Sequence, residues 1–321
     1  MKKMASRLIM SLLALLILTS AVFAADYLIP VGQVIGLELR QDCVTVAGFD
    51  DSFPGDCHAG LQIGDEILEI DRHAIHSAEE VRKALNSSRG SIDLTVLRKG
   101  KQKQLHLTPE ITPQGPRLGV YLRQGITGIG TVTWFDPATS RFGTLGHGVN
   151  DASGHLLTMT QGRAYPAAVA GIQRGAVGRP GQLKGVLNTD ALLGELTVNS
   201  GQGVFGTAPN IWGGEAIPVA AFSELRTGPA TIRSTICEDG PRDYSVEILK
   251  IYPRNRSDGR NLLLRVTDPE LLAATGGIVQ GMSGSPIIQD GRLVGAVTHV
   301  LVNDPTTGYG IFIENMLEAA G

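Results

Sequence analysis

Residues 281–286 read Gly-Met-Ser-Gly-Ser-Pro, and the chain continues through a Gln-Asp-Gly turn signal into a strand-like run from 292 to 297. Glycines on both sides of Ser283 permit a tight turn that exposes its hydroxyl. In such a turn the N–H groups of Gly281 and Ser283 point to one place, where they stabilise an oxygen that gains negative charge. The stretch therefore predicts a nucleophile loop backed by a β-hairpin. A plain turn without chemistry is the alternative.

A histidine precedes this loop in residues 144–148, which read Thr-Leu-Gly-His-Gly. A neutral imidazole takes a proton from a serine hydroxyl near pH 7 and returns it to a leaving amine. His147 is therefore the candidate general base. Polar or strand contexts favour structural roles for the other histidines, which are His58, His73, His76, His106, His155 and His299.

Composition favours a mainly β protein of about two domains. The 321 residues exceed the usual size of one domain, and 41 glycines with 16 prolines favour short strands and tight turns. A net charge of −3 with scattered lysines and arginines argues against a nucleic-acid partner. In the second half, strand-like runs at 130–135, 265–267, 278–279, 286–288 and 293–302 predict a β-barrel or a pair of barrels.

The amino terminus is typical of export. Lys2, Lys3 and Arg7 precede an apolar run from residue 8 to 24, which is the pattern of a signal peptide or a short membrane anchor. Cleavage and retention both remain open for residues 1–24.

The first folded domain is predicted at 26–110. Alternating apolar residues indicate one hairpin made from 34–39 and 44–46, and a second made from 91–97 and 103–107. Between the hairpins, Ser77 with Glu80 three residues later predicts a capped helix over 78–86.

Residues 59–71, which read Ala-Gly-Leu-Gln-Ile-Gly-Asp-Glu-Ile-Leu-Glu-Ile-Asp, resemble PDZ domains of bacterial exported proteases. In such domains backbone N–H groups of a loop receive a peptide's terminal carboxylate while the peptide adds a strand beside a helix. By position, Ile35, Gly36 and Leu37 are expected to form that loop, with a simple turn as the alternative. A linker containing Pro113, Gly115 and Pro116 separates this domain from a second one at 112–321.

The nucleophile loop resembles that of chymotrypsin-like proteases, although Met282 and Ser285 stand where that family has Asp and a second Gly. The wider pattern is similar to the SpoIVB (stage IV sporulation protein B) serine peptidases. The segments that carry this resemblance are 145–147, 266–269, 275–286, 295–300, 302–305 and 308–310. The resemblance implies a protease exported to the space between forespore and mother-cell membranes. It further implies cleavage of the protease itself and of a membrane-bound regulatory complex, which activates a late sigma factor.

The same resemblance places the acidic member of the triad at Asp268, only fifteen residues before Ser283. Chymotrypsin-like enzymes place the acid much farther from the serine in sequence, so their fold does not support Asp268, and the assignment depends on the SpoIVB resemblance alone. Asp268 followed by Pro269 equally predicts a helix cap, and Asp151 and Asp304 compete for the role of orienting the imidazole.

Three cysteines, Cys43, Cys57 and Cys237, form no metal-ligand pattern, so no metal and no cofactor are expected. Cys43 and Cys57 are either paired or free.

Two other functions compete with the signalling protease. One is a quality-control protease of the HtrA type, in which PDZ domains follow the peptidase domain, and the other is a non-catalytic PDZ scaffold.

Overall fold

The computed structural model describes residues 27–88, 90–151, 154–256 and 258–321. The predicted signal or anchor at 1–24 lies outside these ranges. Within them, no helix is long and apolar enough to cross a membrane. All three cysteines are free thiols, which answers the question of pairing between Cys43 and Cys57.

Strands dominate the chain, as the composition predicts. The first eleven are β1 (Tyr27–Pro30), β2 (Val34–Phe49), β3 (Glu66–Ile70), β4 (His73–Ala74), β5 (Ile92–Arg98), β6 (Lys101–Leu107), β7 (Glu110–Thr112), β8 (Gly115–Arg117), β9 (Val120–Asp136), β10 (Arg141–Thr144) and β11 (Gln161–Gln173). The next ten are β12 (Gln182–Leu187), β13 (Gly194–Ser200), β14 (Gly203–Thr207), β15 (Ile217–Pro218), β16 (Gly228–Ser234), β17 (Arg242–Ile251), β18 (Leu262–Val266), β19 (Pro286–Gln289), β20 (Arg292–Leu301) and β21 (Asp304–Phe312). The described residues also form three α-helices, α1 (Ala78–Ser87), α2 (Pro269–Thr275) and α3 (Ile313–Ala320).

Residues 228–312 contain the strands of a closed six-stranded barrel in the order β16-β17-β18-β21-β20-β19. Buried aliphatic side chains such as Ile248, Leu264 and Ile287 fill its interior. The predicted hairpin behind Ser283 is confirmed as β19 and β20. The predicted strand at 278–279 is wrong, because these residues belong to the loop between α2 and β19.

A second ring of strands runs β9-β10-β14-β13-β11-β2 and closes through pairing of β2 with β9. Its core contains Ile35, Leu37 and Leu39 of β2 packed with residues such as Val132 and Phe142. The protein therefore contains two barrels, and the first of them includes the residues that lead into the PDZ segment.

The PDZ unit is inserted between strands of the first barrel. Helix α1 covers its sheet, and Ser77 Oγ accepts from Glu80 N at 3.1 Å, as the capping pattern predicts. Strands β5 and β6 form the second predicted hairpin. The insertion begins after Arg40 and ends before Gly125, which are partners in the β2–β9 ladder.

The course of β2 differs from the predicted hairpin. Residues 34–39 and 44–46 do not form a hairpin, because β2 is one continuous strand whose first half pairs with β9 and β11 in the barrel. Only its second half, from about Val44, contributes to the PDZ core. β1 and the first half of β2 lie within the predicted domain 26–110 but pair with strands of the first barrel. The division at 26–110 and 112–321 stays a prediction. Apolar alternation marks one buried face of a strand and does not identify the partner that covers it.

Candidate active site

The loop between α2 and β19 presents one serine and buries another. Ser283 Oγ donates to Thr298 O at 2.8 Å and lines a cavity between the barrels. Ser285 is fully buried, and its hydroxyl donates to Ser234 Oγ at 3.0 Å. Of the two, Ser283 is the serine that an entering molecule can reach.

The cavity has a volume of about 530 Å³ and brings His147, His299 and Ser283 together. Side chains of both barrels line it, and most of them are aliphatic, namely Leu37, Leu39, Ile126, Ile129, Leu145, Val149, Ile278, Val279, Val300 and Val302. No aspartate, glutamate, lysine or arginine of the described residues lines this space. The cavity therefore favours an uncharged, apolar group next to Ser283.

Two backbone donors beside Ser283 are available. Among the described residues, neither Gly281 N nor Ser283 N has a hydrogen-bond acceptor, whereas Met282 N between them donates to Val279 O at 3.1 Å. Unpartnered N–H groups next to a nucleophile are the arrangement that stabilises an oxyanion. This geometry agrees with the predicted oxyanion hole at Gly281 and Ser283.

Buried threonines of β9 hold the nucleophile loop in place. Thr131 donates from its amide to Ser283 O at 2.9 Å and from its hydroxyl to Gly281 O at 2.8 Å. Thr133, two residues along the same strand face, donates to Gly284 O at 2.7 Å. Sequence reasoning missed both, and the available signal was a pair of polar residues spaced by two in the otherwise apolar stretch 129–135.

His147 is oriented through its Nδ1 atom, which lies 2.9 Å from Gly148 O. A carbonyl oxygen only accepts, so Nδ1 carries the ring proton and Nε2 keeps its lone pair. Burial lowers the pKa of His147 below its ordinary value of 6.5, and the hydrogen bond to Gly148 offsets part of that shift. The ring is therefore a neutral base at pH 7.

His299 is the second histidine of the cavity, with its ring centre 5.1 Å from that of His147. Burial, and after it the neighbouring His147, lower the pKa of His299 to about 4. His299 therefore stays neutral at pH 7 and places no positive charge beside the base.

The structure does not bring Asp268 to the imidazole. Its carboxylate caps α2, accepting from Glu270 N and Leu271 N at 3.0 Å each, and also accepts from Ser245 N at 3.2 Å. The helix-cap alternative describes this position, and the assignment of Asp268 as a triad acid is not supported by its contacts.

Neither competing carboxylate bonds to the imidazole. Asp304 is engaged in its own turn, where it accepts from the hydroxyls of Thr306 and Thr307. Asp151 accepts from His155 N at 3.1 Å. Among the described residues, the hydrogen-bond partner of the His147 ring is the backbone oxygen of Gly148.

The assignment of Ile35, Gly36 and Leu37 to a carboxylate-binding loop is wrong. All three lie inside β2, paired with β9 on one side and β11 on the other. A side chain on Gly36 would meet Leu187 at 2.4 Å, so its small size serves packing between strands. Leu37 instead lines the cavity that contains Ser283.

A groove of the PDZ unit lies between α1 and the start of β9, with a volume of about 360 Å³. Val81 and Leu85 of the helix and Val120 and Leu122 of the strand line it. At one end, the amides of Leu118 and Gly119 have no hydrogen-bond acceptor among the described residues. This combination of groove, strand edge and free N–H groups is where a peptide with a terminal carboxylate fits.

Comparison with known proteins agrees with this architecture. Residues 114–317 match the family model of the SpoIVB peptidase S55, and residues 34–108 match that of the PDZ domain. No curated protein matched the chain.

Solved structures also show local similarity. The PDZ domain of the SdrC-like protein from Listeria monocytogenes is 27% identical, covers 25% of this chain and 87% of its own, and has a TM-score of 0.22. The Rv3671c protease from M. tuberculosis in its active form is 17% identical, covers 62% of this chain and 75% of its own, and has a TM-score of 0.35. Because the S55 model spans more than half of the residues, the chain belongs to the SpoIVB peptidase S55 family of serine peptidases and carries a PDZ domain.

Proposed function

We propose that the chain is an exported serine endopeptidase of sporulation signalling, which cleaves itself and a membrane-bound regulatory protein and so activates a late sigma factor. The observation that carries the peptidase chemistry is the shared cavity of His147 and Ser283, beside two N–H groups that have no acceptor among the described residues. Family membership and the basic, apolar sequence at 1–24 support the signalling role and the location between the two spore membranes.

In the proposed reaction, Ser283 Oγ turns from Thr298 O and attacks the scissile carbonyl carbon, forming an O–C bond. Its proton passes to Nε2 of His147, while Nδ1–H stays bonded to Gly148 O. The carbonyl oxygen becomes an oxyanion that accepts from Gly281 N and Ser283 N. Nε2–H then protonates the leaving amine as the C–N bond breaks, which leaves an acyl ester on Ser283. Water gives a proton to Nε2 and attacks this ester, and Nε2–H returns the proton to Ser283 Oγ as the C–Oγ bond breaks.

We expect the PDZ groove to recruit substrates through a free carboxyl terminus. Arg117 is exposed beside Leu118 and Gly119, whose amides have no acceptor in the described part of the chain, so it adds positive charge where we expect a carboxylate to bind. The apolar lining of the groove suits a hydrophobic last residue.

Arg117→Glu is expected to weaken binding of such a peptide about 10- to 30-fold. Two unit charges at 4 Å in water interact by about 1 kcal/mol, and the change replaces attraction by repulsion. Fluorescence anisotropy in a Ser283→Ala background measures the affinity. Lys101→Glu, an exposed change in the same domain outside the groove, is the matched control and should leave the affinity unchanged. Equal binding by the carboxyl-terminal amide of the peptide would remove the groove assignment.

Two features of the structure argue against the alternative functions. In a quality-control protease of the HtrA type the PDZ domain follows the peptidase domain, whereas here it is inserted within the first barrel. A purely scaffolding protein has no need of the braced loop, the free N–H groups and the neutral histidine that surround Ser283.

Sequencing of new protein amino termini in sporulating cells separates these functions. Cells with the native chain are compared with cells that carry Ser283→Ala. We expect one or two membrane-associated proteins, and the protease itself, to lose their new termini in the variant. Loss of many unrelated termini would indicate quality control, and identical sets of termini would indicate a scaffold.

A further inference from the structure

One side chain from another strand makes two hydrogen bonds to the loop that follows His147. Asn199, near the end of β13, accepts from Val149 N at 2.9 Å through Oδ1. Its Nδ2 donates to Val149 O and to Leu157 O, each at 2.9 Å. The oxygen faces a donor and the nitrogen faces two acceptors, so only one orientation of the amide satisfies all three partners.

The amide of Val149 and the carbonyl of Gly148 belong to one planar peptide unit. Asn199 therefore holds, from the N–H side, the same unit whose oxygen accepts from His147 Nδ1 at 2.9 Å. The result is a chain of hydrogen bonds from the imidazole through the peptide unit to the Asn199 side chain. Hydrogen bonds arranged in series polarise one another, so the carbonyl becomes a better acceptor.

β13 lies close to this loop, which supports the same role for Asn199 in holding the Gly148–Val149 peptide unit. A side chain on Gly148 would lie 2.7 Å from Ser200 O and 2.3 Å from Leu156. The carboxylate expected to orient the base, Asp268, is instead engaged with the amides of α2 and Ser245. The peptide unit 148–149 occupies the position that an acid fills in a triad.

We propose that Asn199 is a positioning residue for the general base, which it orients by fixing the Gly148–Val149 peptide unit as the acceptor of the imidazole proton. This inference rests on the proposed function, because it assumes that His147 activates Ser283. It implies that Asp268 contributes to the stability of α2 and not to the tautomer of His147.

A fluorophosphonate probe tests this without knowledge of the substrate, because its reaction with Ser283 needs the same base. Asn199→Ala is expected to lower the maximal labelling rate about 10- to 100-fold, since misplacement by 1 Å costs about that much. The probe concentration at half-maximal rate should stay within about twofold. Asn315→Ala is the matched control, because Asn315 also makes three hydrogen bonds but lies on α3, away from the cavity. It should lower thermal stability similarly and leave labelling unchanged.

Nitrogen-15 NMR of labelled histidines tests the native chain directly, whether or not the variant folds. The native spectrum should show His147 protonated at Nδ1, and Asn199→Ala should show a mixture of tautomers, whereas Asp268→Asn should keep the native one. A native Nε2–H tautomer, or labelling of Asn199→Ala at the native rate, would overturn the inference. Absence of labelling in the native protein would instead contradict the proposed function, and the tautomer would still report on Asn199.

Discussion

Ser283→Ala is expected to reduce peptidase activity by about a thousandfold or more, while Ser285→Ala keeps most of it. The first change removes the hydroxyl that lines the cavity beside the free amides and leaves only the binding and oxyanion contributions. The second removes a fully buried hydroxyl that bonds to Ser234 and reaches no solvent.

The measurement is peptide hydrolysis and fluorophosphonate labelling of both variants, with thermal melts. Ser285→Ala should lose about 1–3 kcal/mol of stability, because Ser234 Oγ is left in the core without its partner. Ser283→Ala should melt close to the native protein. Native turnover in Ser283→Ala, or equal inactivation of both variants, would mean that the nucleophile has been misassigned.

Gly284→Ala is expected to lower activity about a hundredfold or more. Gly284 has a φ of +96°, and a Cβ there would lie 2.0 Å from Thr131 O and 2.6 Å from Leu145 N. These two residues belong to the strand that braces the nucleophile loop and to the turn that precedes His147. The added methyl therefore separates the serine from its base, and displacement by about 1 Å costs about a hundredfold in rate.

Gly291→Ala is the matched control for this prediction. Gly291 has a similar φ of +73°, but no atom lies within 4 Å of an added Cβ. It should therefore pay only the backbone strain of about 1–2 kcal/mol and retain its activity. Activity per folded molecule, normalised by circular dichroism, is compared for the two variants. Gly284→Ala with activity within fivefold of native would show that the contact with Thr131 relaxes without moving the serine.

The sequence predicts those parts of the site that are encoded locally. Ser283 and His147 stand in glycine-flanked motifs, and the hairpin after Ser283 and the cap of α1 depend on neighbours within a few residues. Each of these signals arises from backbone geometry or a side chain that acts on its own turn.

Other parts depend on partners far along the chain. Thr131 braces a loop 150 residues away, and Asn199 bonds to Val149, 50 residues earlier. No local pattern distinguishes such polar residues from ordinary strand residues. The course of β2 was missed for the same reason, because its alternation suits a PDZ sheet and a barrel equally. Asp268 shows the reverse case, since the local signal for a helix cap describes its contacts better than the family resemblance does.

The continuity of β2 and β9 determines how the PDZ unit is attached to the catalytic barrel. Both strands pass from one unit to the other as a two-stranded ribbon, so the PDZ unit cannot swivel on a single flexible linker. Residues 41–44 interrupt the ladder opposite Gln124, between the pairs Arg40–Gly125 and Thr45–Arg123, and such an irregularity is where we expect the ribbon to bend. From Tyr121 at the peptide groove to Thr131 at the nucleophile loop, β9 runs about 33 Å at about 3.3 Å per residue. Because β9 belongs to both units, we expect a tilt of the PDZ unit to displace the same strand that holds the serine loop.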